Sequence, residues 1–208
     1  MNRTLGFIIV IVHFFGLLGI IWMPDQFLPM SFVSLGICSL ILLLSFENFK
    51  WQRFMTFLLA ALASFAIEVV GVKTGLLFGL YAYGENLGPK LFEVPVVIGL
   101  NWAALLLISQ QVVTHLLHVN KRFYSALLVA TFMTMYDFLL ELVAPQLDYW
   151  SFTHREYAPL QNFIAWWGVS FLLALFTFTF FRNKNNNALL YGFTQVVFFV
   201  ILEFAMIL

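Results

Sequence analysis

Seven apolar runs, each long enough to cross a bilayer as a helix, dominate this 208-residue sequence. A transmembrane helix needs about 20 mostly apolar residues. The runs are Leu5–Trp22, Pro29–Phe46, Phe54–Val72, Val94–Thr114, Phe123–Val143, Phe163–Phe181 and Ala188–Leu208. Hydrophobic residues make up 62% of the chain and charged residues 10%, whereas soluble domains carry about 25% charged residues. We therefore predict an all-α polytopic membrane protein of about seven transmembrane helices, with residues 1–208 forming a single transmembrane domain and no soluble domain.

The charge gives no support for a nucleic-acid-binding protein, and the cysteine content excludes an internal disulfide. A formal net charge of zero gives no electrostatic basis for binding nucleic acid. The single cysteine, Cys38, has no partner for an internal disulfide and is predicted to be a small buried apolar side chain. No small-residue cleavage site follows the first apolar run, so this run is predicted to be the first span rather than a signal peptide.

Two connectors, Lys73–Glu93 and Ala144–Asn162, are longer than the others, and long ordered connectors tend to carry function. With an odd number of spans, seven of the ten basic residues share one face, and these are Arg3, Lys50, Arg53, Lys121, Arg122, Arg182 and Lys184. The positive-inside rule then places the N-terminus in the cytoplasm. Both long connectors are accordingly predicted to lie on the outer face of the membrane.

Four carboxylic acids lie within the apolar runs, where each costs about 2.5–3.5 kcal/mol on insertion scales. They are Glu68, Asp137, Glu141 and Glu203. All four fall in the halves of their spans nearest the outer face. Such convergence indicates a site for chemistry or ion handling, and a buried polar network that includes Glu68 is the structural alternative.

Asp137 and Glu141 are one helical turn apart and therefore share one face of their helix. Two neighbouring carboxyls in apolar surroundings do not both ionise readily, so one is expected to keep its proton near neutral pH. A protonated carboxyl beside an ionised one supplies an acid and a base in one place. The aromatic residues of the two long connectors either form an interfacial belt or offer ring faces to a cation.

Metal and cofactor chemistry find little support in the sequence. The chain has four histidines, and the spacing of His115 and His118 is that of a ligand pair. Both lie at the predicted cytoplasmic face, away from the carboxylates. His154 with a nearby carboxylate is the remaining metal candidate. The sequence contains no phosphate loop, no dinucleotide fingerprint and no nucleophile elbow, so we expect neither a metal nor a cofactor.

A series of motifs over residues 68–167, about half of the chain, resembles the CruF-type carotenoid biosynthesis family of integral membrane carotenoid 1,2-hydratases. The motifs are Glu68-Val-Val-Gly71, Thr74-Gly75-Leu-Leu-Phe78-Gly79-Leu-Tyr81-Ala-Tyr83-Gly84, Leu87-Gly88-Pro89, Val94-Pro95, Asn101-Trp102, Asp137, Leu147-Asp148-Tyr-Trp150 and Pro159-Leu-Gln-Asn162-Phe-Ile-Ala-Trp166. Four positions depart from the pattern, where the family commonly has Pro, Gly, Pro and Trp, and these are Leu77, Glu93, Leu142 and Phe152. None of the departures removes a carboxylate.

The resemblance implies a cofactor-independent enzyme that adds water to the terminal 1,2 double bond of a linear, ψ-end carotenoid of the lycopene or γ-carotene type. Asp137 or Glu141 is expected to donate the proton, and Glu68 or the second carboxylate to activate water. The expected substrate-binding residues are Tyr81, Tyr83, Asn101, Trp102, Asp148, Trp150, Asn162 and Trp166. Expected partners are the lipophilic polyene, water, the lipid bilayer and other carotenoid-pathway enzymes, in the inner membrane of a bacterial cell.

Three other functions stay open from the residues. A proton-initiated carotenoid cyclase uses the same acid and cation chemistry but excludes water. A proton- or ion-coupled transporter also places carboxylates at this depth, although the sequence shows no inverted repeat. A structural or assembly protein is the third, and it does not account for polar residues that gather on one side of the membrane.

Overall fold

A computed structural model describes residues 3–46 and 50–207 of the chain, so Met1, Asn2, the connector residues 47–49 and Leu208 lie outside the described residues. The helices within this part are α1 (Arg3–Trp22), α2 (Pro24–Phe27), α3 (Ser31–Leu44), α4 (Trp51–Thr74), α5 (Val96–Gln111), α6 (Arg122–Val143), α7 (Leu160–Phe181) and α8 (Asn186–Ile207). A 3-10 turn, Leu28–Met30, joins α2 to α3, and a π-helical turn, Val112–Leu116, extends α5.

Seven helical segments of the described chain are long and apolar enough to cross a membrane. They match the seven predicted runs, which confirms the prediction of an all-α polytopic membrane protein. The second segment begins at Pro24 rather than Pro29, because α2 and the 3-10 turn continue into α3. The proline at the first position of α2 has no N–H to leave unpaired, which favours a helix start there.

Helix α5 occupies the centre of the bundle and packs against α3, α4, α6, α7 and α8. Nearly all of its side chains are buried, as expected for a helix that is apolar on every face. It packs tightly against α4 at Gly99, where a Cβ atom would lie 2.5 Å from the carbonyl oxygen of Ala61. Helices α6 and α7 pack along each other, as do α1 and α8.

The two long connectors carry short antiparallel strands that were not predicted from the sequence. Strand β1 (Tyr81–Tyr83) in the first connector pairs with β4 (Trp150–Phe152) in the second, with Tyr83 opposite Trp150. Strands β2 (Lys90–Leu91) and β3 (Val94–Pro95) form a hairpin within the first connector. The pairing of β1 with β4 fixes the aromatic residues of both connectors over the same end of the bundle.

Gly84 makes a close backbone contact between the two connectors. Its N–H donates to the carbonyl oxygen of Tyr149 (2.9 Å), and a Cβ at this position would lie 2.2 Å from the carbonyl oxygen of Asp148. Replacing Gly84 with Ala must therefore displace backbone. We expect Gly84→Ala to lower the free energy of unfolding by about 1–3 kcal/mol, measured as the midpoint of thermal unfolding in detergent.

Gly168 in α7 provides the matched control for this change, because a Cβ there meets nothing within 4 Å. Gly168→Ala should leave the midpoint unchanged or raise it, since Ala is favoured over Gly inside a helix by roughly 0.5–1 kcal/mol. Equal midpoints for Gly84→Ala and the wild type would show that the connectors are not held together at this contact.

Candidate functional site

A small cavity lies between α4, α5, α6 and α7 at the end of the bundle that the paired connectors cover. Its volume is about 30 Å³. Ten of the predicted site residues line it, and these are Glu68, Tyr81, Tyr83, Asn101, Trp102, Asp137, Glu141, Trp150, Asn162 and Trp166. A water needs roughly 10–15 Å³ of such space, so the cavity accommodates one or two waters beside the carboxylates.

Glu68, from the last turns of α4, accepts three hydrogen bonds and is only 3% exposed. The hydroxyls of Tyr81 and Tyr83 donate to its Oε2 at 2.5 and 2.8 Å, and the indole N–H of Trp102 donates to Oε1 at 2.8 Å. Three donors are what an ionised carboxylate needs when it is removed from water, because it accepts and does not donate.

Both tyrosines keep their protons in this arrangement. Burial and the neighbouring Glu68 carboxylate raise the pKa of Tyr81 far above its ordinary value, and the same two causes raise the pKa of Tyr83. Each phenol is therefore a fixed donor near neutral pH. The β1 strand orients them, since Tyr81 and Tyr83 are two residues apart and point to the same face of the strand.

Asp137 and Glu141 face the same cavity from α6 and are bridged by Asn162 of α7. The side-chain N–H₂ of Asn162 donates to Asp137 Oδ2 at 2.7 Å and to Glu141 Oε1 at 3.3 Å. The indole N–H of Trp150 donates to Glu141 Oε2 at 3.1 Å. Asp137 is fully buried, and its Oδ1 has no hydrogen-bond partner among the described residues. Asp137 Oδ1 is thus the one oxygen of these three carboxyl groups without a protein donor among the described residues.

Aromatic rings form most of the remaining wall. Trp102 and Trp166 stack with their ring centroids 3.8 Å apart and their planes 16° from parallel. Phe78 lies against Trp102, and Tyr83 meets Trp150 edge to face. A positive charge in the cavity would lie among these ring faces and beside a carboxylate, which is a stabilising environment for a cation.

Three polar residues considered from the sequence lie elsewhere. Asp148 is exposed, does not line the cavity, and accepts a hydrogen bond from the backbone N–H of Glu85 at 2.8 Å. Glu203 in α8 is also absent from the lining. His154 is exposed in the second connector. Among residues 3–46 and 50–207, no three His, Cys, Asp or Glu side chains come together in a metal-binding group.

Four further residues line the cavity and were not assigned to the site from the sequence, namely Phe78, Ile98, Leu140 and Phe152. For two of them, the helical spacing could have indicated a position in the site. Ile98 precedes Asn101 and Trp102 by three and four residues, and Leu140 follows Asp137 by three, so each shares a helix face with a predicted residue. Phe152 reaches the cavity because β4 pairs with β1.

The fold and this site define a multi-pass membrane protein with a carboxylate-lined, aromatic-walled cavity at one end of its helical bundle. The chain belongs to the family described as carotenoid biosynthesis protein, whose sequence profile matches residues 29–208. This match confirms the family resemblance seen in the motifs and extends it from residues 68–167 to most of the chain.

A curated relative with a named activity is bisanhydrobacterioruberin hydratase of Haloarcula japonica. It is 32% identical over 127 residues, which cover 58% of this chain and 43% of that protein. The chain therefore spans less than half the length of this relative. No solved structure matches the chain.

Proposed function

We propose that this protein is a carotenoid hydratase that adds water across the terminal 1,2 double bond of a ψ-end polyene. The observation that carries the proposal is Asp137 Oδ1, a buried carboxyl oxygen without a protein partner, on a side chain that lines an aromatic cavity with room for water. Membership in the carotenoid biosynthesis family and the similarity to a hydratase support the same chemistry.

The first step transfers a proton from Asp137 to C2, the less substituted carbon of the alkene. The π electrons form the new C2–H bond, and the positive charge falls on C1, which carries two methyl groups. Asp137 is suited to the donor role because Glu141 adjoins it through Asn162, so that one proton shared by the pair avoids two buried negative charges. General acid catalysis of this kind contributes about 10²–10⁴-fold to a rate.

The second step captures the tertiary cation with water. Trp102 and Trp166 both line the cavity, and an outer face of this stacked pair would stabilise the cation by about 2 kcal/mol or more away from solvent. Glu68, which three protein donors hold in the same cavity, adds an opposite charge when it is ionised. Water attacks C1, and its proton passes to the Asp137–Glu141 pair, which restores the acid and leaves a tertiary alcohol.

Space for water favours hydration over cyclisation, since a cyclase must keep water from the cation. Purified protein in liposomes that contain lycopene, prepared in heavy-oxygen water, tests the choice. A hydratase gives an alcohol that carries the heavy oxygen, whereas a cyclase gives a product of unchanged mass. A transporter gives ion flux and no new pigment. A product of unchanged mass, or ion flux without a new pigment, would overturn the proposal.

The apolar helices and the distribution of basic residues support a proposal for where the enzyme works. We propose one transmembrane unit in a bacterial inner membrane, working without a cofactor on polyene drawn from the lipid and alongside other carotenoid-pathway enzymes. With seven spans and a cytoplasmic N-terminus, which the basic residues favour, the site would lie in the outer half of the bilayer. A reporter fused to the C-terminus should be found outside the cytoplasm. Detection of the reporter in the cytoplasm would show the opposite orientation.

A further inference from the structure

A larger cavity, of about 270 Å³, opens between α1, α3 and α8 and is not part of the carboxylate site. Gly16, Ser34 and Phe198 line it from the three helices, and its wall is mostly apolar. Phe15 and Met30 at its rim are more than half exposed on the outer surface of the bundle. The exposed surface of a membrane-spanning bundle faces lipid, so this cavity opens to the hydrocarbon core.

A third, narrow cavity of about 20 Å³ lies between the lipid-facing cavity and the carboxylate site. It shares Asn101, Leu140 and Trp150 with the carboxylate site. It also shares Tyr149 and Phe199 with the lipid-facing cavity. The three cavities therefore adjoin one another in a series, with the narrow cavity as the constriction between the lipid-facing cavity and the carboxylate site.

We infer that the lipid-facing cavity holds the polyene chain of the substrate while one end of the molecule passes the constriction to reach Asp137. This inference rests on the proposed function. The volume at the carboxylates suits one or two waters, so most of a long polyene must lie outside it. The lipid-facing cavity is about nine times larger, and the narrow cavity between them shares lining residues with each.

The chemistry of the lipid-facing cavity fits a rigid apolar chain. A polyene carries no hydrogen-bonding group, and it comes from a lipid phase that is as apolar as the cavity, so its affinity depends on shape and dispersion contacts rather than on release of water. Phe198 and Phe199 supply ring surfaces along the wall. Selection of a long flat substrate over a flexible acyl chain would arise at this wall.

Tyr149 marks the constriction and is held in place from the opposite helix. Its hydroxyl donates to Ser31 Oγ at 2.8 Å. Burial raises the pKa of Tyr149 to about 12, so the phenol keeps the proton for this bond. The side chain forms part of the lining of both adjoining cavities. Passage of a chain end therefore requires the side chains around Tyr149 to move.

Two glycines offer a matched test of the lipid-facing cavity. A Cβ at Gly16 makes ordinary contact with Phe198, 3.8 Å away, so Gly16→Phe is expected to fill the cavity. A Cβ at Gly36 in α3 meets nothing within 4 Å, and Gly36 lines none of the three cavities. Gly36→Phe makes the same change away from the series. Ser34→Phe fills the cavity from α3 and serves if Gly16→Phe does not fold.

The probe is lycopene added to purified protein in lipid nanodiscs, followed by induced circular dichroism of the polyene and by product formation. We expect the wild type, Gly36→Phe and Asp137→Asn to show the induced signal, and Gly16→Phe and Ser34→Phe to lose both signal and turnover. Undiminished signal and turnover in both filled variants would overturn the cavity assignment while leaving the hydratase proposal intact.

The remaining outcomes separate the two proposals. A wild type that shows the signal but makes no alcohol, with the signal lost in the filled variants, would support polyene binding in the cavity and overturn hydration. A wild type with no signal overturns the cavity assignment. A signal displaced equally well by excess phospholipid acyl chains would identify the cavity as an ordinary lipid site and overturn its selectivity for polyene.

Discussion

Asp137→Asn is expected to lower the rate of hydrated product by about 10²–10⁴-fold, the usual contribution of a general acid. The amide keeps the size of the side chain and can still accept from Asn162, but it has no acidic proton for C2. Because Asp137 is fully buried beside Glu141, removing one of two carboxyls should not unfold the protein. Product formation in membranes, normalised to the amount of embedded protein, measures the effect.

Asp25→Asn is the matched control, since Asp25 is exposed in α2 and lies away from the cavity. It should retain wild-type turnover. Turnover of the Asp137→Asn variant within a few fold of the wild type would remove Asp137 from the donor role. If Glu141→Gln then gave the large loss, the proton would come from Glu141.

Glu68→Gln is expected to reduce turnover by about 100-fold and also to destabilise the protein. The carboxylate accepts from two phenols and an indole N–H, and an amide has only one oxygen for these donors. Its N–H₂ group must face at least one of them, which leaves a buried donor unpaired at about 1–3 kcal/mol. Loss of the negative charge also removes stabilisation of the cation. Turnover and the thermal midpoint should therefore both fall.

Glu203→Gln changes another membrane-embedded glutamate that lies outside the cavity and should leave turnover unchanged. The double variant Tyr81→Phe, Tyr83→Phe separates the two roles of Glu68, because it removes donors but keeps the charge. If that double variant loses as much turnover as Glu68→Gln, the hydrogen bonds rather than the charge account for the effect. A fully active Glu68→Gln would make Glu68 a purely structural residue.

Much of the site was predictable because helices impose a fixed spacing on side chains. Asp137 and Glu141 are four residues apart, as are Asn162 and Trp166, and each pair lies on one face of its helix. Glu68 was predicted on a separate ground, because inserting a carboxylate into the apolar part of a membrane costs free energy. Successive spans cross the membrane in opposite directions, so the position of each residue within its span tells which side of the membrane it is near. This alternation alone predicted that the carboxylates lie at one end of the bundle.

The paired connectors could not be predicted in the same way. Strands β1 and β4 have three residues each, too few for a period-two pattern, and they are separated by 66 residues or more of helix and loop. Their aromatic composition equally suits an interfacial belt. Asp148 was predicted to bind substrate because it belongs to a family motif, but a motif does not say what the side chain contacts. Its carboxylate accepts from the backbone N–H of Glu85 and so links the two connectors.

The lipid-facing cavity also could not be predicted from the sequence. The walls of the lipid-facing cavity come mainly from α1, α3, α8 and the second connector, and they are ordinary apolar side chains apart from a few such as Ser34 and Tyr149. Phenylalanine is abundant throughout the chain, with 26 copies, so composition does not distinguish a ring that faces lipid from one that lines a cavity. Only the packing of the helices makes that distinction.

The most direct test of the hydratase proposal is expression in a bacterial host that accumulates lycopene, with chromatography and mass spectrometry of the pigments. The wild type should produce a more polar pigment that is heavier by one water and has an unchanged visible spectrum, and Asp137→Asn should not. Unchanged pigment in hosts that supply lycopene and in hosts that supply γ-carotene, with the protein verified in the membrane, would contradict the proposal.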